Sequence, residues 1–214
     1  MDLPTELEQL HEMLERSLLA RLEWKCIGLD VPGAHRVVFD DSGWSGQGAL
    51  AGRLWNVGWF RTQFTIPELL DGCALEVSPI MGGRSRVFVN GRLIGSCGAG
   101  GSVPTPKVRG GSVLTLAIRN ENGWISYENP CPATIRCERQ AILLGIFEEL
   151  FFLRRLEQAG GRESSEISRC LESFLEAVDR EALAHGQIGC FVQSLAKARD
   201  ALLPAANLLK RYTI

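Results

Sequence analysis

The sequence predicts an α+β chain of several parts, an antiparallel β-sandwich of jelly-roll or Greek-key type flanked by an N-terminal helix and a C-terminal helical region. Three observations predict it. Of 23 glycines, 18 lie between Gly28 and Gly123, and all five tryptophans fall between Trp24 and Trp124. Short alternating segments separated by Gly, Pro and Asn turns fill that stretch, as in a sandwich. After Pro132 the apolar period lengthens from two residues to that of a helix. These zones place an amphipathic helix at 1–23, the sandwich at 24–137 and a helical connector at 138–214.

Thr5 and Glu8 fit a capping box, and Leu7, Leu10, Leu14 and Leu18 recur on one face, predicting a helix over about Thr5 to Leu22. In the middle zone Phe60, Thr62, Phe64 and Ile66 alternate with Arg61, Gln63 and Thr65 until Pro67. This is a half-buried strand with Phe and Ile facing inward. Leu75 and Val77 mark a second strand. Arg86 to Val89 and Arg92 to Gly95 flank Asn90-Gly91, which supplies the two positive-φ positions of a type I′ hairpin. Val113 to Arg119 alternates again and is expected to end at the Asn120-Glu121-Asn122-Gly123 turn.

Beyond Pro132, Ile142, Ile146, Leu150, Leu153 and Leu156 share a helical face that Phe147, Phe151 and Phe152 broaden, so burial on two sides is expected. Gly160-Gly161 ends this helix. Ser164 or Ser165 can cap the next, with a stripe of Ile167, Leu171, Phe174, Leu175 and Val178. A third, about Gln187 to Leu203, carries Phe191, Leu195, Ala198 and Leu202 and is expected to stop at Pro204.

Composition narrows the function classes. A length of 214 residues allows one large domain or two small ones. A net charge of −2 offers no basic surplus for a phosphate backbone, so nucleic acid is not expected as a partner. The longest apolar run, Ala141 to Phe147, is far short of a membrane span, and the acidic N-terminus lacks the pattern of a signal peptide. Seven cysteines, Cys26, Cys73, Cys97, Cys131, Cys137, Cys170 and Cys190, form no Cys-x-x-Cys pair and read as reduced thiols of a cytoplasmic protein.

Catalytic chemistry is not legible. His11, His35 and His185 lie in three zones without partners at metal-ligand spacing and read as surface or packing residues. The Gly98-Ala99-Gly100-Gly101 cluster leads to Pro104 and Pro106 instead of a helix N-terminus, so it reads as a loop. Asp40-Asp41 and Glu148-Glu149 are adjacent pairs whose side chains diverge, so neither can flank one glycosidic bond. The tryptophans admit two readings. Trp44, Trp55, Trp59 and Trp124 fall in or beside predicted loops, where an indole can stack on the C–H face of a sugar, and the same rings can close the ends of the sandwich.

Asp41-Ser42-Gly43-Trp44, the run Trp55 to Pro67 with its Trp59-Phe60-Arg61 core, Leu70-Asp71-Gly72, and Val87 to Gly95 form a linked series. The series resembles the galactose-binding-like jelly roll at the N-terminus of many glycoside hydrolases. In glycoside hydrolase family 2, with its β-galactosidases and β-glucuronidases, an immunoglobulin-like sandwich follows that module. Here helices follow, and the arrangement looks more like the cytosolic-type family 38 α-mannosidases.

That resemblance implies hydrolysis of terminal α-mannosides, with a zinc-like divalent metal and a carboxylate nucleophile in a catalytic domain whose opening strand the tail Leu208 to Ile214 is similar to. It places no catalytic residue and no metal ligand in this chain. The chain is then expected to be a non-catalytic N-terminal region that is inactive alone, with Trp44, Trp55 and Trp124 as candidates for carbohydrate contact. The expected partners are the parent enzyme's catalytic domain, a glycan and a second copy of the chain, with no membrane. A free-standing carbohydrate-binding or protein-interaction module is the alternative.

Overall fold

Strands β1 (Lys25–Ile27), β2 (Ser45–Gly46), β3 (Leu54–Thr65), β4 (Glu76–Pro79), β5 (Arg84–Val89), β6 (Arg92–Gly98), β7 (Val103–Pro104), β8 (Val113–Trp124) and β9 (Ala133–Arg136) pair antiparallel in two sheets. Their orders are β2-β1-β3-β8-β5-β6 and β7-β4-β9. The computed structural model describes residues 8, 11, 12, 22–159, 164–185 and 187–209. The chain divides into two compact units, Met1–Arg16 with Arg139–Ile214, and Ser17–Glu138.

The second unit is the antiparallel β-sandwich that the alternating pattern predicts. Phe60, Val87, Leu116 and Ile118 of the larger sheet share one core with Val77, Val103 and Ile135 of the smaller. Full burial of side chains of this size contributes about 1.5–3 kcal/mol each, which drives the two faces together. Asn90 (φ 48°) and Gly91 (φ 81°) form the hairpin turn, and the Thr115 N–H donates to Asn90 Oδ1 at 2.9 Å, tying that turn to β8.

Two expectations for this unit are corrected. The outer face of β3 is not exposed: Trp59 and Arg61 are 3% and 2% accessible. The loop between β1 and β2 folds over them, and Ala34, Val31, Phe39 and Trp44 form a small second core with Trp59, Ala117 and Phe88. A period of two therefore understated the burial, because a covering loop is invisible to strand periodicity. β8, in turn, does not end at Asn120; it runs to Trp124, and Asn120 is fully buried. Its amide is satisfied inside the sheet, with Oδ1 accepting from Trp55 Nε1 at 2.8 Å and Nδ2 donating to the Gly82 carbonyl and to Ser85 Oγ. Ladder pairing with β3 overrides the turn preference of the Asn-Glu-Asn-Gly run.

The first unit is helical: α1 (Glu138–Gln158), α2 (Ser164–Ala177), α3 (Arg180–Ala184), α4 (Ile188–Ala198) and α5 (Leu203–Leu209). On α1 the buried stripe is Leu143, Ile146, Phe147, Leu150 and Leu153, whereas Ile142 and Phe152 are 44% and 51% exposed. On α2 the expected Ile167, Leu171 and Phe174 are buried together with Cys170. Ser164 Oγ donates to the Glu157 carbonyl, 3.1 Å away near the end of α1. Glu8, His11 and Glu12 of the predicted N-terminal helix are helical, and His11 packs on Phe147 and Phe151. Leu22 is not helical, and the rest of that prediction, like Gly160-Gly161, lies outside the described residues.

The C-terminal helices differ from expectation in two ways. Asp179 Oδ1 accepts the Ala182 N–H at 2.9 Å, an N-cap that starts the unanticipated α3. Pro204 does not stop the last segment: after a 3-10 turn at Arg199–Leu202 it occupies the first turn of α5, where no backbone donor is required of it.

Candidate functional site

Pairing of β1 with β3 sets Lys25 opposite Arg61. Residues opposite one another in an antiparallel ladder share a face, so both cations stand on the outer face, where the covering loop returns towards β2. Asp41, on that loop, accepts from Lys25 Nζ at 2.7 Å through Oδ1 and from Arg61 Nε at 2.9 Å through Oδ2. Arg61 Nη1 donates to the carbonyls of Ala34 and Arg36, and its guanidinium lies 5.3 Å over the Phe39 ring. The other end of the loop is held by Asp30, which accepts from Arg119 Nε and Nη2 and from Trp59 Nε1. Two acid anchors therefore fasten the loop to the sheet.

A cleft of about 520 Å³ opens beside the Asp41 cluster, lined by Trp24, Lys25, Asp41, Trp44, Gln47 and Arg61, with Glu23, Thr62 and Gln63 at its sides. This lies within the ~300–1,000 Å³ typical of small-ligand sites. Trp44 meets Phe39 edge to face at 5.5 Å. Gln47 Oε1 is buried with no donor among the described residues. Burial works to raise the Asp41 carboxyl, but the hydrogen bonds from Lys25 and Arg61 outweigh it and hold the group below the usual carboxylate range. An acid fixed in its ionised form is a poor proton donor near neutral pH, so this cluster is suited to holding structure and ligand hydroxyls, not to general acid work.

The three tryptophans singled out in the sequence are not brought together. Trp44 lines the cleft. Trp55, expected in a loop, is a correction: it sits within β3, is 7% accessible, packs on Phe60 and spends its N–H on Asn120. It offers no face to a ligand. Trp124 ends β8 and is 53% exposed, with its ring against Gly82, where a Cβ would approach within 2.5 Å. Sequence reasoning missed Arg61 and Asp41 as a pair. The signal was present, since an arginine flanked by Phe60 and Thr62 inside an apolar strand calls for an acid partner.

The remaining chemistry-bearing residues have structural duties. His35 packs against Phe88 and Trp59, and His185 Nδ1 meets the Glu181 carbonyl at 2.8 Å. Glu149 pairs with Arg199, and Asp40 accepts the Ser42 N–H at 2.9 Å. Gly98 to Gly101 close a turn through the Gly101 N–H, and Ser102 Oγ donates to Glu76, an acid that would repel phosphate. None of the seven cysteines forms a disulfide, and burial raises the thiols of Cys26, Cys97 and Cys131 away from the reactive thiolate. Among the described residues no three His, Cys, Asp or Glu side chains cluster. No described helix is long and apolar enough to cross a membrane.

Part of the chain is similar to parts of solved glycoside hydrolases. A Bacteroides uniformis β-glucuronidase is 20% identical over 47% of this chain and 14% of its own, with a TM-score of 0.40. A glycosyl hydrolase family 2 member from Bacteroides cellulosilyticus is 18% identical over 54% of this chain and 20% of its own, with a TM-score of 0.43. A Ruminococcus gnavus β-glucuronidase is 15% identical over 47% of this chain and 20% of its own, with a TM-score of 0.36. The chain thus spans a fifth or less of the length of these proteins. No family model and no curated protein matches the sequence.

Proposed function

We propose that this chain is a non-catalytic region of a glycoside hydrolase and that its charged signature residues serve the sandwich, not the reaction. The observation that carries this reading is the Asp41–Arg61 ion pair at 2.9 Å. It joins two segments of the series that resembles the glycoside hydrolase jelly roll, and it leaves Asp41 ionised and committed. The Val87 to Gly95 hairpin of that series is fastened to the same sheet through β8.

The helical segments that follow the sandwich favour an α-mannosidase of family 38 over a family 2 enzyme, acting on terminal α-mannosides. The catalytic carboxylates and the divalent metal then belong to a catalytic domain that would be this chain's main partner. Seven cysteines without a disulfide support a reducing, cytoplasmic setting.

Two measurements test the reading. The purified chain is expected to turn over neither aryl α-mannosides nor aryl β-glucuronides, with or without zinc or calcium; turnover of either overturns it. Coding sequence downstream of Ile214 is expected to contain a His-x-His-x-Asp segment, whereas a second β-sandwich there would replace family 38 by family 2.

A second reading, carbohydrate binding by the sandwich itself, is favoured by the cleft that Trp44 lines, where an indole can stack on a sugar ring. Trp124 remains a candidate for stacking on a glycan at a separate place.

A further inference from the structure

Arg61 reaches the cleft with half of its fork unspent. In a guanidinium the Nε–H and one Nη2–H point the same way and match the two oxygens of a single carboxylate. Asp41 takes only the Nε prong, through Oδ2, while its Oδ1 is turned to Lys25 Nζ. Nη1 is spent on the Ala34 and Arg36 carbonyls. Nη2 makes no hydrogen bond among the described residues.

The Arg61 side chain is 2% accessible, yet Nη2 is not sealed off: among the described residues, Gln47 Oε1 alone is a sealed side-chain nitrogen or oxygen without a partner. Arg61 lines the cleft, so its unspent prong opens into that space. Lys25 Nζ lines it too and spends one of its three donors, on Asp41.

Two cations and two acids, Asp41 and Glu23, are matched in number along the lining, so net charge does not decide what enters. Hydrogen bonding does. The unspent donors at the Asp41 cluster belong to cations, and a buried guanidinium prong without an anion is the kind of group that gains most from one. Bonds from guanidinium or ammonium to carboxylate are among the strong ones in proteins. Asp41 already spans these same two side chains, one oxygen to each. A second carboxylate can bridge the donors that remain, with one oxygen on Arg61 Nη2 and the other on Lys25 Nζ. Trp44 supplies a flat apolar wall for the rest of the molecule, and about 520 Å³ accommodates a ring.

We infer that this cleft binds a small organic carboxylate, held between Arg61 Nη2 and Lys25 Nζ with its ring against Trp44. A sugar acid and a ring that is no sugar both offer this chemistry, so the inference stands apart from the carbohydrate-binding reading above.

Titration of the full chain with benzoate, methyl β-glucuronide and methyl β-glucoside at constant ionic strength tests it, followed by saturation-transfer NMR and by the arginine side-chain N–H resonances. At least one of the two carboxylates is expected to bind with a Kd on the order of 1–10 mM and to shift the Arg61 signals, with the glucoside about tenfold weaker or worse. Lys25→Met, at a half-exposed position, is expected to stay folded by circular dichroism and to weaken carboxylate binding about tenfold. Benzoate binding alone supports the carboxylate site and takes this cleft from the carbohydrate reading; glucuronide binding alone supports the site and makes its ligand a sugar acid. Glucoside binding as tight as that of the glucuronide overturns the inference and leaves carbohydrate binding standing. Binding of neither carboxylate, unmoved Arg61 signals, or undiminished binding by the folded Lys25→Met protein also overturns it.

Discussion

Arg61 Nε donates to Asp41 Oδ2 at 2.9 Å beneath a loop that leaves the arginine 2% accessible and the acid 21% accessible. A cation this deep in a β-strand is tolerated because its Nε and Nη1 donors are matched by one carboxylate and two backbone carbonyls, and its flat face by Phe39.

Removing the acid should therefore cost more than an ordinary surface pair. Asp41→Ala is expected to destabilise the sandwich by about 2–4 kcal/mol in urea unfolding, because it strands the buried guanidinium. Lys25→Met should cost about 1 kcal/mol or less, since that ammonium is half exposed. Equal effects of the two variants would contradict the central place given to Arg61.

The same contacts set an acid limit. Asp30, Asp40 and Asp41 all have folded values held below the ordinary carboxylate value. A depressed folded value contributes stability that is present above the unfolded pKa of about 3.9 and is lost as pH falls through the folded value. Unfolding free energy should accordingly drop on acidification from about pH 4 downward, and Asp41→Asn should flatten that drop while lowering stability at pH 7.

Trp55 is expected to matter for folding and not for sugar. Trp55→Phe keeps most of the ring but removes the N–H that satisfies Asn120 Oδ1. An orphaned buried acceptor costs about 1–3 kcal/mol, measurable as a lower urea midpoint, with binding at the cleft unchanged. Loss of sugar binding in a folded Trp55→Phe protein would argue against its purely internal role.

Gly83 provides a backbone test. Its φ is +84°, and a Cβ there would lie 2.2 Å from the Glu121 carbonyl oxygen and 2.7 Å from that of Asn122, which belong to the adjoining strand β8. Strand backbone cannot step aside as a side chain can. Gly83→Ala is expected to destabilise by about 2–3 kcal/mol by thermal melting. Gly43→Ala, with open space around the added methyl, should change stability by no more than about 0.5 kcal/mol.

How much was legible in the sequence depended on the range of the interaction. The Asn90-Gly91 hairpin, the inward Phe60 and Ile66 and the stripe of α2 were readable because each is decided by neighbours a few residues apart. The course of β8 past Asn120 was not, because the partners that satisfy that amide come from residues 35 to 65 positions away. Pro204 was misread for a subtler reason: a proline ends one helix and opens the next by the same missing N–H, and only the position of the preceding 3-10 turn distinguishes them.

The candidate site was less legible than the fold. Trp44, Trp55 and Trp124 were grouped because each falls in or beside a predicted loop, and of the three Trp44 alone lines the cleft. Their separation reflects three different settings: beside a covering loop, inside a central strand, and at a strand end.

By itself, the sequence determined the sandwich and its helices, since apolar period, turn residues and glycine placement are local and set which faces must be buried. Only the tertiary structure decided that the loop from β1 to β2 would cover Trp59 and Arg61, that Asp41 would meet Lys25 and Arg61, and that a cleft would open beside Trp44. Those outcomes depend on groups far apart in the chain being matched in charge and hydrogen bonding, and no period along a strand records such a match.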